Sequence, residues 1–513
     1  MNLNSLLILP LITGLIVLLC KGLKPVRRVA AIGAFLQVAL GFVLLYFYWK
    51  QRSSGNTALM LFGEDHIWYA PLHIHYHTGV DGISVAMILL TSFIVLAGVL
   101  VSWNMEKLSR EFFFLLYLLS IGAYGFFISL DLFTLFFFLE LAVIPKFMLI
   151  GIWGSSSGDI GKGQSGNAAF QGKTYAAMKL ALMLMAGSAL VFVGLMGLYF
   201  HSDAGDGTYS FDLLRIAQLH IPLETQKIFF PFAFIGFGIF AALFPFHTWV
   251  PDGHSSAPTA ASMFLAGISM KLGGYGCLRV ATFLMPEAAH YYSGIIVLLS
   301  AIAIIYGAFA TMMQTDLKYI NAYSSISHCG FVLLGIGMLT KTTITGAVMQ
   351  MVSHGLMTAL FFACIGMIYD RTHTRMVAKL GGLLKMMPFI STAFVLAGLC
   401  SLGLPGLSGF VAEVTVFMGS WQRAESFYRV ATIVACASIV VTAVYILRAV
   451  GRSIMGPVGD ASFKTLTDAR WNEKLAIVIL MIGIVAIGVA PFWLNDLIAP
   501  GAESIIRKAT VGY

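Results

Sequence analysis

The sequence predicts an all-α integral membrane protein with about 14 transmembrane helices. Hydrophobic residues make up 59% of its 513 residues and charged residues only 11%, whereas a soluble globular domain carries about 25% charged residues. Hydrophobic runs of about 20 residues, the length that crosses a bilayer as a helix, recur from one end of the chain to the other. No extended polar region separates these runs, so nearly the whole chain is expected to lie in a lipid bilayer.

The candidate helices are numbered 1 to 14 in chain order. They lie near residues 2–20, 29–49, 80–102, 111–129, 132–153, 173–200, 228–252, 257–283, 291–313, 317–339, 343–369, 387–422, 427–450 and 474–495. The first run resembles a cleaved signal sequence in hydrophobicity, but it lacks a preceding basic region and is followed by KGLKPVRR instead of a small-residue cleavage site. It is therefore predicted to be a retained helix.

The distribution of Lys and Arg predicts which loops face the cytoplasm. With the N-terminus outside, the odd-numbered loops hold about twice as many of these residues as the even-numbered loops and the C-terminus together, and basic loops favour the cytoplasmic side. Both termini are therefore predicted on the outer side. The net charge of +8 does not predict nucleic-acid binding, because the basic residues lie in short loops between hydrophobic runs.

Proline and glycine interrupt two of the predicted helices. Helix 7, near 228–252, contains LFPFHTWVPDGH, and helix 12, near 387–422, contains SLGLPGLSGFVAE. Non-helical backbone at membrane depth needs protein or water around it, and transporters use such breaks at ion sites in two inverted halves. Since the breaks are five helices apart, two inverted five-helix repeats with discontinuous helices 7 and 12 are predicted. The predicted parts are helices 1–3 in 1–110, helices 4–8 in 111–285, helices 9–13 in 286–452, and helix 14 with the tail in 453–513.

Ionisable residues lie inside several predicted helices, where one charge costs roughly 2.5–3.5 kcal/mol on insertion scales. They are Glu140, Lys146, Lys179, Lys271, His328, His354 and Glu413, with His247 at the break of helix 7. Lys179 lies near the start of its helix and could extend to the interface, and a single histidine is often satisfied inside a core. Glu140, Lys271 and Glu413 lie deeper, where a functional role is favoured. Because neighbouring acids and lysines shift each other's proton affinity and histidine titrates near neutral pH, these residues predict a proton relay.

The sequence contains no signal for a metal or a nucleotide. Its six cysteines lie in apolar runs without a CxxC pair or a ferredoxin-like series, which favours buried packing residues over metal or cluster ligands. No GxGxxG or Walker loop stands between a strand and a helix. No cofactor and no metal is therefore expected in this chain.

Four motifs resemble one family of membrane proteins. They are PFHTWVPDGHSSAPTAASMFLAGISMKLGGYGCLR, DLKYINAYSSISHCGFVLLG, GAVMQMVSHGLMTALFF and GLPGLSGFVAE. Their order and spacing along nearly the whole chain resemble the antiporter-like subunits of respiratory complex I, the NADH:quinone oxidoreductase, and most specifically the bacterial M-type subunits.

The resemblance implies a proton-translocating subunit in the membrane arm of a respiratory complex, in the bacterial inner (cytoplasmic) membrane. It implies other membrane-arm subunits as partners, including two further antiporter-like subunits, besides the lipid bilayer and the protons themselves. NADH, FMN, iron–sulfur clusters and quinone would be bound by partner subunits, so the redox chemistry would take place outside this chain.

The resemblance also implies roles for individual residues. Glu140 would be the key glutamate of helix 5, and Lys271 the central lysine of helix 8. Three further residues would continue the polar axis on helices 10, 11 and 12: His328, His354 and Glu413. The remaining positions lie near the start of helix 6 and in the motif at the break of helix 7: Lys179, His247, Asp252 and His254.

One position departs from the family pattern. The family usually places a lysine seven residues before the histidine of HTW, where it pairs with the helix 5 glutamate, but this sequence has Phe240 there. Lys146, six residues after Glu140, stands where the family generally has an apolar residue. Pro145 is expected to kink helix 5, and we hypothesise that the lysine then fills the vacant ammonium site. The alternative is that Lys146 extends to the inner surface and this half of the relay is altered or silent.

Other functions are compatible with the same fold. Subunits of multisubunit cation/proton antiporters and of membrane-bound hydrogenases share it, and a structural spacer that no longer conducts protons is a third class. The lysine missing at Phe240 favours a spacer, whereas the presence of Lys271, His354 and Glu413 favours a conducting subunit.

Overall fold

The structure, a computed structural model, describes residues 1–155, 172–203, 205 and 207–511. The α-helices in these ranges are α1 (Ser5–Leu19), α2 (Leu23–Ser53), α3 (Gly82–Val101), α4 (Ser109–Ile128), α5 (Leu132–Leu141), α6 (Val143–Trp153), α7 (Lys173–Phe200), α8 (Leu213–Gln218), α9 (Leu223–Phe240), α10 (Trp249–Ser256), α11 (Thr259–Phe264), α12 (Met270–Gly276), α13 (Pro286–Met312), α14 (Leu317–Gly337), α15 (Lys341–Thr372), α16 (Leu383–Met386), α17 (Pro388–Ser401), α18 (Ser408–Trp421), α19 (Ser426–Ala449), α20 (Trp471–Val489) and α21 (Phe492–Val511). An antiparallel hairpin joins β1 (Leu61–Tyr69) to β2 (Ile74–Val80). Short π-helical segments lie at Leu265–Ser269, Cys277–Thr282 and Val450–Ile454, and 3₁₀ turns at Ala70–Leu72, Val377–Lys379 and Ala461–Thr465.

The predicted all-helical membrane architecture is confirmed. Each predicted span has helical structure in the described residues, and ten helices there are long and apolar enough to cross a membrane. Predicted spans 1, 8, 10 and 12 are shorter, interrupted or less apolar than those ten. The total of about 14 spans, the inverted repeat and the division of the chain into four parts remain predictions.

The predicted break of helix 7 lies between α9 and α10. Pro245 has no backbone N–H and cannot continue a helix, and the peptide bond before it is cis. The freed N–H of Leu243 donates to the Gly238 carbonyl at 2.7 Å, and the indole N–H of Trp249 donates to the Ile239 carbonyl at 3.0 Å. Protein groups thus satisfy the open backbone, as a break at membrane depth requires.

The predicted break of helix 12 lies between α17 and α18. Gly403 and Gly406 have φ angles of 75° and 91°, which glycine adopts without steric cost. The turn also places the backbone beside Glu413, because a Cβ at Gly403 would lie 2.7 Å from Glu413 Oε2. The missing side chain therefore makes room for a buried carboxylate.

Helix 5 bends as its proline predicts. The helix is divided into α5 and α6 at Ala142, one turn before Pro145, because the proline ring cannot accommodate the carbonyl one turn earlier. Gly122 on α4 faces this bend, and a Cβ there would lie 2.9 Å from the Ala142 side chain. Glu140 and Lys146 consequently lie on different halves of the bent helix.

Helix 8 contains a feature that the sequence analysis did not predict. Two π-helical segments, Leu265–Ser269 and Cys277–Thr282, flank the short helix α12. Such π-turns open the regular hydrogen-bond ladder and are frequent at functional sites. Lys271 is the second residue of α12, directly after the first of them.

The hairpin of β1 and β2 was also not predicted. It fills the connection between predicted helices 2 and 3, with Leu61 paired to Val80 across the strands. Its strands contain 9 and 7 residues, so a search for hydrophobic runs of about 20 residues passes over them. The end of the bundle that carries this hairpin is called the hairpin end below.

The predicted boundary of helix 14 is wrong. The prediction runs to residue 495, but α20 ends at Val489 and a separate helix, α21, begins at Phe492. Pro491 lies between them, and a proline at this position ends one helix and suits the first turn of the next. The C-terminal region is therefore a second helix and not an extension of the membrane span.

Helix α21 is docked at the hairpin end against α3 and α15. Glu503 on α21 forms an exposed ion pair of 2.6 Å with Lys341 at the start of α15. A Cβ at Gly82 would lie 1.7 Å from the Leu497 carbonyl oxygen, so the first turn of α3 and the α21 backbone touch directly. The two contacts join α21 to two central helices.

The centre of the bundle is formed by α3 and α15, whose apolar segments are 94% and 100% buried. A Cβ at Gly355 on α15 would lie 2.9 Å from the Gly267 carbonyl oxygen of the π-turn before α12. Two glycines thus allow helices 8 and 11 to approach closely. That approach sets the distance between Lys271, which lies four residues after Gly267, and His354, which directly precedes Gly355.

Candidate functional site

Titratable side chains are buried in the middle of the described bundle. Those with at most 4% of their surface exposed include Lys146, His247, His254, Lys271, His328, His354 and Glu413. Burying a charged group is costly unless another group compensates for it, so the partners of each one decide what the site can do.

Lys271 and His354 are in direct contact. The Lys271 ammonium donates to Nδ1 of His354 at 2.8 Å and to the Ala266 carbonyl at 2.6 Å. The carbonyl belongs to the π-turn that precedes α12, so the opened ladder supplies an acceptor for the lysine. Cys329 is a further neighbour, with its sulfur 3.9 Å from His354 Nδ1. The contact between Lys271 and His354 gives a proton on the lysine an immediate acceptor.

The row continues from His354 to Glu413. The rings of His354 and His328 are stacked with centroids 5.2 Å apart, and Nδ1 of His328 lies 3.5 Å from Glu413 Oε1. Nε2 of His328 lies 3.0 Å from the Ser401 hydroxyl. The predicted residues of helices 8, 10, 11 and 12 are therefore brought together in one buried row.

A second group of predicted residues lies at the end of the bundle opposite the hairpin. Lys179 and Asp252 form an ion pair of 2.7 Å, and their side chains are 24% and 27% exposed. The Tyr319 hydroxyl donates to the other Asp252 oxygen at 3.2 Å. The pair is open to water, in contrast to the buried row.

The two histidines of the helix 7 break are enclosed by aromatic rings. His254 is fully buried and stacks between Trp249 and Phe362, with centroids 5.8 and 5.9 Å away, and neither of its ring nitrogens has a hydrogen-bond partner among the described residues. His247 contacts the rings of Phe244 and Tyr306 at 5.5 and 4.8 Å. Both histidines lie outside the row of directly bonded groups.

Lys146 is buried, with 1% of its surface exposed. Its ammonium lies 5.9 Å from the centroid of the Phe240 ring and has no hydrogen-bond partner in the described part of the chain. Glu140 is half-buried, and its Oε1 is equally unpartnered there. The carboxylate acts on the ammonium electrostatically, but no ion pair within 4 Å joins them among the described residues. Lys146 thus occupies the interior beside Phe240.

Four side chains of the site were missed by the sequence analysis: Tyr319, Cys329, Gln350 and Ser401. Gln350 stands one helical turn before His354, so the i,i+4 rule places both on one face of α15 and could have identified it. Ser401 is the last residue of α17, immediately before the break. The two others required the packing of neighbouring helices to be known.

A buried ion pair at the hairpin end was also missed. Arg279 on helix 8 pairs with Asp81, and each side chain is 1% exposed. Asp81 also caps α3 by accepting the Ser84 N–H at 2.9 Å, and the Ser84 hydroxyl lies 2.9 Å from the hydroxyl of Tyr275. Their sequence separation of almost 200 residues conceals the pair from any local pattern.

The described side chains do not group around a metal. Within the described ranges, no three His, Cys, Asp or Glu side chains converge in a way that could hold a metal ion. That the chain binds no cofactor remains a prediction.

Comparison with known proteins identifies the family of this chain. The family described as "NADH:quinone oxidoreductase/Mrp antiporter, TM" matches residues 129–440. NADH-quinone oxidoreductase subunit M of Rickettsia conorii is 34% identical over 508 residues, covering 98% of this chain and 97% of that protein. NAD(P)H-quinone oxidoreductase chain 4 of a Synechococcus strain is 35% identical over 495 residues, covering 95% and 89%.

A solved structure has the same fold. A chain of respiratory complex I from Thermus thermophilus superposes with a TM-score of 0.86 at 24% identity and covers 99% of both chains. The match extends over both broken helices and the hairpin. The chain therefore belongs to the NADH:quinone oxidoreductase/Mrp antiporter family, and within it to the subunit M or chain 4 group.

Proposed function

We propose that this chain is a proton-translocating subunit of the membrane arm of an NADH:quinone oxidoreductase. The observation that carries the proposal is the buried row Lys271, His354, His328 and Glu413, whose successive contacts are 2.8 Å between nitrogens, 5.2 Å between ring centroids and 3.5 Å between nitrogen and oxygen. Every member of the row binds or releases a proton.

The row can move a proton in three steps. The Lys271 ammonium gives a proton to Nδ1 of His354, leaving a neutral amine and an imidazolium. The imidazolium passes a proton to His328, whose ring centroid lies 5.2 Å away, a gap that one water molecule could bridge. His328 then passes a proton to the Glu413 carboxylate, and each donor returns to its earlier state when it is protonated again.

Burial makes the steps interdependent. In a medium of low polarity, a charge strongly affects the proton affinity of groups a few ångströms away. A lysine that becomes neutral removes a positive charge from the neighbourhood of His354 and so increases the affinity of that histidine for a proton. An electrostatic change on the Lys271 side is therefore transmitted to Glu413 without large movements of the helices.

Proton uptake is assigned to the end of the bundle opposite the hairpin. Asp252 is partly exposed and bound by both Lys179 and Tyr319, so it can collect a proton from water. His254 lies two residues further along the chain, fully buried and with unpartnered nitrogens, between this surface pair and helix 8. The predicted roles of Lys179, His247, Asp252 and His254 thus concern the uptake side.

Lys146 is assigned the role of the lysine that the family usually has at the position of Phe240. Its ammonium is buried beside the ring of Phe240, and Glu140 is the carboxylate that acts on it. The bend between α5 and α6 separates the two charges, so a change of the bend brings them together or apart. In this proposal the first half of the chain retains an acid and an ammonium group that interact electrostatically, without a direct ion pair among the described residues.

Electron transfer belongs to other chains in this proposal. NADH, FMN, iron–sulfur clusters and quinone are assigned to partner subunits, among them neighbours in the membrane arm, in a bacterial cytoplasmic membrane. The family description also names Mrp antiporters, so the alternative is a subunit of a cation/proton antiporter. The identity of 34–35% to quinone oxidoreductase subunits over nearly full lengths favours the first assignment.

The test is proton translocation by the assembled complex in sealed vesicles, driven by NADH and carrying Lys271→Met. The control is Lys385→Met, which changes an exposed lysine. We expect proton uptake to fall about a hundredfold, the contribution of a positioned proton donor, while the control keeps the wild-type ratio of protons to NADH. Normal uptake by the Lys271→Met complex would contradict the proposal, and Na⁺ uptake without NADH would favour the antiporter.

A further inference from the structure

Gln350 holds the second nitrogen of a relay histidine. It lies on α15, one turn before His354, with 1% of its surface exposed. Its amide nitrogen Nε2 lies 3.2 Å from Nδ1 of His328 on the neighbouring helix α14. Its amide oxygen Oε1 is buried and has no hydrogen-bond partner among the described residues. A buried amide with an unused acceptor next to a titratable ring needs a reason.

The observed contact fits only the neutral form of His328. A neutral imidazole has one N–H and one bare nitrogen, whereas an imidazolium has two N–H groups. The amide N–H of Gln350 can donate to Nδ1 only when Nδ1 carries no proton. The proton of neutral His328 therefore lies on Nε2, where it is donated to the Ser401 hydroxyl at 3.0 Å.

Protonation of His328 reverses the hydrogen-bonding role of its Nδ1, from acceptor to donor. Nδ1 then becomes a donor and faces the amide N–H of Gln350, which repels it. A half-turn about the last side-chain torsion of glutamine, which has a broad and shallow energy profile, exchanges the amide nitrogen and oxygen. Because Oε1 has no other partner among the described residues, this turn breaks no bond except the one that protonation has already destroyed.

We propose that Gln350 is an amide switch that follows the protonation state of His328. It donates to bare Nδ1 when His328 is neutral and accepts from Nδ1–H when His328 is an imidazolium. An amide oxygen binds this proton without removing it, whereas Glu413 Oε1, 3.5 Å from the same nitrogen, removes it. Gln350 thereby holds a proton on His328 until the carboxylate takes it. The inference rests on the proposed proton relay and makes Gln350 a positioning residue within it.

Several titratable groups surround His328 in addition to the neutral amide of Gln350. Facing the histidine from the packed helices are His354 on α15, with Lys271 of α12 behind it, and Glu413 on α18, while α17 contributes the Ser401 hydroxyl. The Glu413 carboxylate acts electrostatically on two groups of α19, Cys436 and Tyr445, while α13 packs on α14 through Ser327 and Ile304. A change of pH dependence must therefore be measured in variants that keep Glu413 and His354 unchanged.

The experiment measures the pH dependence of NADH-driven proton translocation by the complete complex in vesicles. Gln350→Met keeps the length of the side chain and removes the amide. We expect its half-maximal pH to move about one unit lower, since an imidazolium that loses a hydrogen bond binds its proton less tightly. Gln350→Glu supplies a carboxylate at the same place and is expected to move the profile to higher pH. Opposite shifts distinguish a switch from a packing role, which would lower the amount of complex without moving the profile.

The matched control is Gln37→Met, which replaces a glutamine that is 2% exposed and contacts Tyr124, away from the row. Its profile is expected to coincide with that of the wild type. Unshifted profiles for both Gln350 variants would overturn the switch, and shifts in the same direction would do so as well. If Lys271→Met loses translocation in the same preparation, such a result rejects the switch alone. If Lys271→Met translocates normally, the proton relay itself is rejected.

Discussion

The ammonium of Lys146 lies 5.9 Å from the centroid of the Phe240 ring, on the opposite side of the helix 5 bend from Glu140. An aromatic face attracts a cation, but less strongly than a carboxylate does in a buried site. Lys146 Nζ and Glu140 Oε1 both lack hydrogen-bond partners among the described residues. The structure therefore has two unpartnered polar groups on the two halves of a bent helix, and the Glu140 carboxylate acts on the Lys146 ammonium electrostatically.

The first prediction concerns the approach of helices 8 and 11. Gly355→Ala places a Cβ 2.9 Å from the Gly267 carbonyl oxygen and 2.7 Å from Leu90, so the helices must separate or the backbone must shift. Overpacking of this kind costs about 1–3 kcal/mol, and the contact between Lys271 and His354 should lengthen. We expect a lower temperature of thermal inactivation and slower proton translocation.

Gly151→Ala is the control for this substitution, because nothing lies within 4 Å of a Cβ at that helical position. Alanine is the better helix former, so the control should be at least as stable as the wild type. Equal thermal inactivation of the Gly355→Ala and wild-type complexes would show that the close approach is not needed.

The second prediction concerns the buried ion pair of Asp81 and Arg279. Asp81→Asn keeps a side-chain oxygen to cap α3 but leaves the Arg279 guanidinium buried without its counter-charge. Breaking such a pair typically costs about 3–5 kcal/mol. We expect the yield of assembled complex to fall sharply. Asp81→Asn combined with Arg279→Gln removes both charges and should recover part of that yield, and an Asp81→Asn complex of normal yield would disprove a structural role of the charge.

The third prediction concerns the hairpin, which is tied to the start of α8 by a contact between His77 and Asp212. Burial lowers the pKa of the His77 imidazole, but the hydrogen bond and charge of Asp212 outweigh burial and raise it above the usual 6.5. Burial raises the pKa of Asp212, but His77 and the backbone N–H of Arg215 outweigh it and hold this pKa below the usual 3.8.

The signs define a pH window for this contact. The contribution of His77 is complete below its unfolded pKa and is lost as the pH rises through its raised pKa. The contribution of Asp212 is complete above its unfolded pKa and is lost as the pH falls through its lowered one. Hydrogen exchange of the β2 amides, corrected for intrinsic rates, should therefore be slower at pH 6 than at pH 9. Asp212→Asn should remove most of this difference, and an unchanged difference in that variant would refute the pairing.

Composition and hydrophobic runs were sufficient to predict the architecture of the membrane region. The runs marked the spans because lipid requires about 20 apolar residues for each, and Pro245, Gly403 and Gly406 marked the two breaks. A search for apolar runs does not detect short strands or an amphipathic helix, so the hairpin and the independent helix α21 were missed. The end of helix 14 was misplaced because the apolar run continues through Pro491.

Charged residues at membrane depth could also be identified from the sequence, because Glu140, Lys271 or Glu413 inside a membrane helix is costly without a function. The neutral side chains that contact the row could not be identified in this way, because Gln350 and Ser401 cost little in a membrane helix. Their role depends on which helices are neighbours. The π-turn before α12 likewise has no sequence signature, although it supplies the carbonyl that binds Lys271.

The exchange of Lys146 and Phe240 offers the most direct measurement on the proton relay. Proton uptake per NADH is compared in vesicles for the complex with Lys146→Met, with Phe240→Lys added to it, and with Lys385→Met as an exposed control. We predict a loss in the first variant, recovery in the double variant because an ammonium on helix 7 then replaces that of Lys146, and no change in the control. Full uptake by the Lys146→Met complex, or a double variant no better than the single one, would contradict the claim that an ammonium at this site carries the proton.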